Sequence, residues 1–140
     1  MAVRQLSVFL ENKKGTLHEI SDVLAKEKIN LRSMCIADTA DYGIVRIIAD
    51  DPDKAKEALN AAGHTASIRE VTAFAVPDCP GGLAKVLDIL EEKGVNIEYM
   101  YALVTKSVGK AYAVARTDDD KKAEAILKEN GIELLNEADI

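Results

Sequence analysis

This sequence predicts an α+β protein in which one strand–helix–strand–strand–helix–strand unit occurs twice in tandem, each an antiparallel sheet with its helices on one face. Three observations carry that prediction. First, the chain repeats itself. Asn12-Lys13-Lys14-Gly15-Thr16-Leu17 is answered by Asp78-Cys79-Pro80-Gly81-Gly82-Leu83, and Lys28-Ile29-Asn30-Leu31 by Gly94-Val95-Asn96-Ile97, at one offset of 66 residues. The same offset aligns Asp22, Leu24, Met34, Thr39 and Gly43 with identical residues, and later pairs such as Leu59/Leu127 align at an offset of 68. Self-similarity of this kind decides how everything else is read. Second, apolar spacing inside each copy switches between period 2 and period 3.6, the signatures of strand and helix. Third, 140 residues allow two units of about 70, a size at which a lone domain is marginal and gains from a neighbour.

The elements follow in order. Leu6, Val8 and Leu10 alternate with Gln5, Ser7 and Phe9 as a strand does, and Asn12 to Gly15 is a turn cluster. Leu17, Ile20, Val23 and Leu24 fall on one helical face, with His18, Glu19 and Asp22 off it. A second strand is expected over 29–37, a hairpin connection over 39–42, and a third, β-branched strand over 43–49. Asp50-Asp51-Pro52-Asp53 has the acidic, proline-bearing form of a helix start. Ala55, Ala58, Leu59 and Ala62 carry that helix to Gly63, and a short strand is expected near 66–69. In the second copy Thr72, Phe74 and Val76 open the pattern, and Leu83, Val86, Leu87 and Leu90 turn a helix inward as far as Gly94. Strands over 95–104 and 109–116, a helix over 120–130 and a last strand over 132–136 complete it. The order βαββαβ is the ferredoxin-like unit. Residues 1–70 and 71–140 are read as its two copies. No Pro, Gly or low-complexity linker separates them at Ser67–Phe74, so close association of the copies is expected.

Composition narrows the function. Hydrophobic residues make up 48% and charged residues 30%, as in ordinary globular chains. A net charge of −6, aromatics at 4% and the lack of a basic run argue against nucleic acid as a partner. No apolar stretch approaches the roughly 20 residues that span a bilayer, and the start Met1-Ala2-Val3-Arg4-Gln5 enters a strand pattern directly. A cytoplasmic protein without a membrane partner is expected. Cys35 and Cys79 fit no metal spacing, and the two histidines, His18 and His64, pair with no nucleophile in sequence. Neither catalytic residues, a metal nor a cofactor is expected.

The chemistry-bearing residues gather at the turn before each copy's first helix. A helix start offers unpaired backbone N–H groups and partial positive charge, which suit a carboxylate. Gly15 and Gly81-Gly82 lack the Cβ that would keep a ligand from the backbone. Asn12 and Asp78 carry acceptors for an ammonium group. Asn30 and Asn96 open the second strand, where asparagine is disfavoured, and could reach the same space from the side. Together these groups suit a small zwitterion. The same residue types also serve as local caps and turn formers, and spacing does not choose between the two roles.

The stretch from Leu10 to Met34, with Leu-Glu-Asn-Lys-Lys-Gly-Thr-Leu leading to Ile-Asn-Leu-Arg-Ser-Met, resembles the ACT domains, small regulatory modules that sense amino acids. It is most similar to the ACT domain of the small regulatory subunit of acetohydroxyacid synthase. Asp78-Cys-Pro-Gly-Gly-Leu through Gly-Val-Asn-Ile resembles the commoner D-x-P-G and G-x-N-I pattern. The resemblance implies a ligand-binding set of Asn12, Gly15, Thr16, Leu17 and Asn30 in the first copy, and of Asp78, Gly81, Gly82, Leu83 and Asn96 in the second. Lys14 replaces a usual proline and Asp78 a usual asparagine; the second change makes the two seats chemically unequal, the first seat being slightly favoured, with a ligand shared at the interface between the copies left open. The implied function is a small amino-acid-binding regulatory protein, a homodimer acting on a separate partner. The alternatives are a ligand-free dimerisation or docking module and, further off, a small enzyme of this fold.

Overall fold

A computed structural model describes residues 2–38, 40–104 and 109–140; the matched pair Thr39/Thr105 lies outside the described residues. Backbone contacts divide the chain into two compact units, Arg4–Glu70 and Val71–Ile140, the second also taking in Ala2 and Val3.

In the first unit β1 (Val3–Glu11) leads to α1 (Thr16–Lys26), β2 (Leu31–Asp38), β3 (Tyr42–Ala49) and α2 (Pro52–Ala61), and then to β4 (Thr65–Pro77), in the sheet order β2-β3-β1-β4. In the second, β4 is followed by α3 (Gly82–Glu92), β5 (Ile97–Leu103), β6 (Lys110–Thr117), α4 (Asp120–Glu129) and a two-residue β7 (Leu134–Leu135). Its order is β5-β6-β4, with β7 also paired to β4. The ladders β1/β3, β2/β3, β4/β6, β5/β6 and β4/β7 are all antiparallel. This is the ferredoxin-like βαββαβ architecture twice over.

Each unit has its own core. Leu6, Val8 and Leu10 of β1 meet Ile20 and Leu24 of α1, Ala55 and Leu59 of α2, and Val45 and Ile47 of β3. In the second unit Phe74 and Val76 meet Val86 and Leu90 of α3, Ala123 and Leu127 of α4, and Ala113 and Ala115 of β6. Away from the helices burial is uneven. Phe9, Tyr42 and Ile44 are exposed, with the Phe9 and Tyr42 rings 5.3 Å apart, whereas Val71, Ala73, Ala75 and Val114 are buried.

Two details depart from the sequence reading. The strands expected near 66–69 and from Thr72 are one continuous β4 of 13 residues. Nothing in Arg69-Glu70-Val71-Thr72 breaks an extended backbone, and Val71 and Thr72 favour it. The repeat offset also changes earlier than Gly43/Gly109 suggested. Leu10 pairs with Gly43, but its counterpart Val76 pairs with Ala111; Val8 pairs with Val45, and Phe74 with Ala113. Ile36 pairs with Val45 and its counterpart Ala102 with Ala113. The two extra residues therefore enter between β5 and β6, so Gly43 is matched in space by Ala111 rather than Gly109.

Candidate functional site

The turn from β4 into α3 is built by its own backbone. The Cys79 N–H donates to the Pro77 carbonyl at 2.9 Å and the Gly82 N–H to the Cys79 carbonyl at 3.0 Å. Gly81 stands at the helix N-cap with φ of 80°, the left-handed conformation that favours glycine, and no side chain caps the helix. A Cβ on Gly82 would collide with the Pro77 carbonyl oxygen. The sequence reading left Gly82 open for a ligand; in the structure its bare Cα is spent on closing the turn. The first unit solves the same turn differently. Thr16 takes that position, buried, with its hydroxyl donating to the Lys13 carbonyl at 3.1 Å.

Beside the α3 start, under the turn, lies a cleft of about 420 Å³ whose lining includes Val76, Asp78, Leu83, Met100, Ala102 and Ala111. The sequence placed Leu17 and Leu83 on the inward helical faces. Instead both are substantially exposed, at 36% and 42%, and Leu83 forms a wall of the cleft. Asp78 supplies its carboxylate, and among the described residues no hydrogen bond or ion pair occupies it. Leu83 and Ala84 lie in the first turn of α3, where helix geometry leaves N–H groups without intrahelical partners. An apolar recess with one carboxylate and a helix start at its rim can accept a small molecule that is part apolar and part zwitterionic.

The remaining candidates are placed elsewhere. The Asn12 N–H donates to the Asp41 carbonyl at 2.9 Å and its amide to the Ala40 carbonyl at 3.3 Å, so this side chain already braces the β2–β3 connection. Asn30 and Asn96 sit at the opposite ends of their sheets from Asn12 and Asp78. The Asn30 N–H donates to Asp50 Oδ1 at 3.0 Å, and the Asp50 N–H returns a bond to the Asn30 carbonyl at 3.1 Å. Asn96 and Asp118 repeat this at 2.9 and 3.0 Å. From Asp41 to Asp50 along β3 is roughly 25–30 Å at a strand rise of about 3.3 Å per residue. Within one unit the structure therefore brings Asp78, Gly81, Gly82 and Leu83 together, and likewise Asn12, Gly15, Thr16 and Leu17, but unites neither set with its strand-opening asparagine. One crossing of the sheet, by α1 or α3, separates those ends, which sequence spacing does not reveal.

Sequence reasoning also missed Val76, Cys79, Met100, Ala102, Ala111 and Ala113, all of which line the cleft. A comparison of side-chain size between the copies, given the correct offset on β6, would have found Ala102 and Ala113, which stand where the first copy has Ile36 and Val45. Among the described residues no three His, Cys, Asp or Glu side chains are grouped to hold a metal ion, and no helix is long and apolar enough to cross a membrane.

Comparison with known proteins gives these features a setting. A family model described as "ACT domain pair" matches residues 1–140. Protein BT0572 from Bacteroides thetaiotaomicron, a solved structure, is 46% identical; the match covers 99% of this chain and 95% of that one with a TM-score of 0.92. The regulatory subunit of aspartate kinase from Thermus thermophilus, in its ligand-free form, shares the fold at a TM-score of 0.65 and 18% identity, over 91% of this chain and 90% of that one. Its counterpart from Thermus flavus matches at 0.65 and 18%, over 89% and 88%. Among curated proteins none matches.

Proposed function

The chain belongs to the ACT domain pair family, and from that premise we propose that it is a small amino-acid-binding regulatory protein, without catalytic activity of its own, acting on a separate partner as a homodimer. The observation that carries the reading is the cleft of the second unit, which places Asp78, whose carboxylate no described residue occupies, beside a helix start with no side-chain cap among the described residues. The ligand's ammonium meets Asp78, and its carboxylate meets the first N–H groups of α3 at Leu83 and Ala84, where the helix dipole favours negative charge. Gly81 and Gly82 shape that seat through the backbone. In the first unit Gly15, Thr16 and Leu17 form the corresponding helix start, and Asn12, whose amide already donates to the Ala40 carbonyl, stands in place of the carboxylate. The fold shared with the aspartate kinase regulatory subunits of two Thermus species supports a role in regulating an enzyme of amino-acid metabolism. The finer likeness to the acetohydroxyacid synthase regulatory subunit rests on residues 10–34 alone.

A thermal-shift screen of the full chain against the twenty amino acids and related α-acids tests this, because a ligand that binds only the native state must raise its apparent stability. At least one amino acid should shift the transition. Asp78→Asn should weaken its binding about tenfold, the scale of one lost charge-assisted hydrogen bond, and Asn96→Ala should leave it unchanged. If no amino acid shifts the transition, the sensing role is wrong and a ligand-free docking module takes its place.

A further inference from the structure

At the helix-facing positions of the cleft rim the two units differ in side-chain bulk. At the loop end of the sheet the first unit carries Leu10 on β1, Ile36 on β2 and Val45 on β3, with Val45 and Leu10 buried. The positions paired in the same register of the second unit are Val76, Ala102 and Ala113. All three side chains are shorter. One change runs the other way, Gly43 to Ala111, and adds only a methyl. One row deeper the trend reverses, because Phe74, fully buried, stands where the first unit has Val8. Its ring fills the centre of the sheet and leaves the opening confined to the rim beneath the Pro77–Cys79 turn. The opening is therefore a local recess with a packed floor rather than a loosely filled core.

Its walls decide what it takes. Apart from Cys79, Tyr101 and Tyr112, the lining side chains present carbon and one thioether sulfur, and the only charged lining residue is Asp78 at the mouth. Such a surface favours burial of an apolar group by roughly 25 cal/mol per Å² removed from water. With Asp78 taken by the ammonium, it offers an ionic or strongly hydrated side chain little in exchange for its water. Met100 adds an unbranched, polarisable side chain that adapts to differing shapes. Resting on the amino-acid-sensing reading above, we propose that the recess of the second unit is a specificity pocket for the side chain of a bulky apolar α-amino acid. The first unit, filled at the same positions by Ile36 and Val45, does not share this selectivity.

Calorimetry on the full chain compares leucine, methionine and phenylalanine with glycine, serine, aspartate and lysine. At least one of the first three should bind ten times or more tighter than any of the last four. Ala102→Ile and Ala111→Leu, each placed on an exposed wall residue where a larger side chain does not overpack the core, should each weaken that binding at least tenfold. Ile36→Ala in the first unit should leave it unchanged. The unmodified cleft gives an independent readout, because Cys79 is exposed and lines it. In a Cys35→Ser background the tight ligand should slow labelling of Cys79 by a maleimide several-fold. A polar amino acid that binds best, or tight binding indifferent to both cleft substitutions with no protection of Cys79, overturns the specificity pocket while the sensing role stands. Failure of all amino acids to bind overturns both.

Discussion

Lys28 is the one described non-glycine residue at positive φ, at 58°, and the equivalent position in the second unit is Gly94 at 70°. Both follow a helix end, with N–H groups donating to Ala25 and Glu91 at 3.0 and 2.8 Å. A side chain in this conformation carries a steric cost that glycine avoids, offset in part by glycine's greater freedom when unfolded. Lys28→Gly should therefore raise unfolding free energy by about 0.5–1 kcal/mol, measured by urea denaturation, and Gly94→Lys should lower it by a similar amount. Gly82→Ala should cost more, about 1–3 kcal/mol, because the collision is with backbone at Pro77. The matched Asp22/Asp88 was legible as a repeat, but its partner is not repeated: Lys26 lies 2.9 Å from Asp22, and Glu92 stands where Lys26 would be. The Lys26 hydrogen bond and charge hold the Asp22 carboxyl below its usual value of 3.8, and Asp22 in turn raises Lys26 above 10.5. The contribution of the depressed Asp22 is present above 3.8 and is lost as pH falls through its folded value. That of the raised Lys26 is present below 10.5 and is lost as pH rises through its own. Lys26→Met should thus leave the pH slope of stability unchanged between about pH 5 and 9, with differences only at the acid and alkaline limbs.

At the scale of elements, Asp50-Asp51-Pro52-Asp53 shows how a segment legible as a helix start hides separate tasks. Asp50 accepts from the Asn30 N–H, Asp51 caps α2 through the Lys54 N–H at 3.0 Å, and Asp53 pairs with Arg4 at 2.7 Å. Asp119 caps α4 through Lys122 at 3.0 Å in the same manner. Asp51→Ala and Asp119→Ala should each lower stability by about 1 kcal/mol in chemical denaturation, without affecting ligand binding. By contrast α1 and α3 begin at Gly15 and Gly81 with no side-chain cap. Helices and strands were readable because their periodicity is local and each faces a single core. The merger of two expected strands into β4 was not, because a strand ends where its partners end, and sequence pattern does not contain the partners. Asn30 and Asn96 were read as ligand groups for the same reason: their identity repeats, but their place in the sheet is a long-range fact.

At the scale of the whole chain, duplication was the most legible feature. Identical residues announced two seats, which Asp78 against Asn12 made chemically unequal, with the first slightly favoured. The structure adds a further difference between the units, the absence of side-chain bulk at Val76, Ala102 and Ala113, which no motif records. One ligand per chain is the expected calorimetric stoichiometry; two equal sites per chain would contradict the difference in packing. The filled rim of the first unit therefore also bears on signalling. A sensor with two like sites on one chain can answer a metabolite steeply, whereas a chain with a single receptive site answers hyperbolically, with occupancy rising over a wide concentration range. On the reading proposed above, any steepness in the response comes from the assembly of chains or from the regulated partner, since each chain then holds a single selective site.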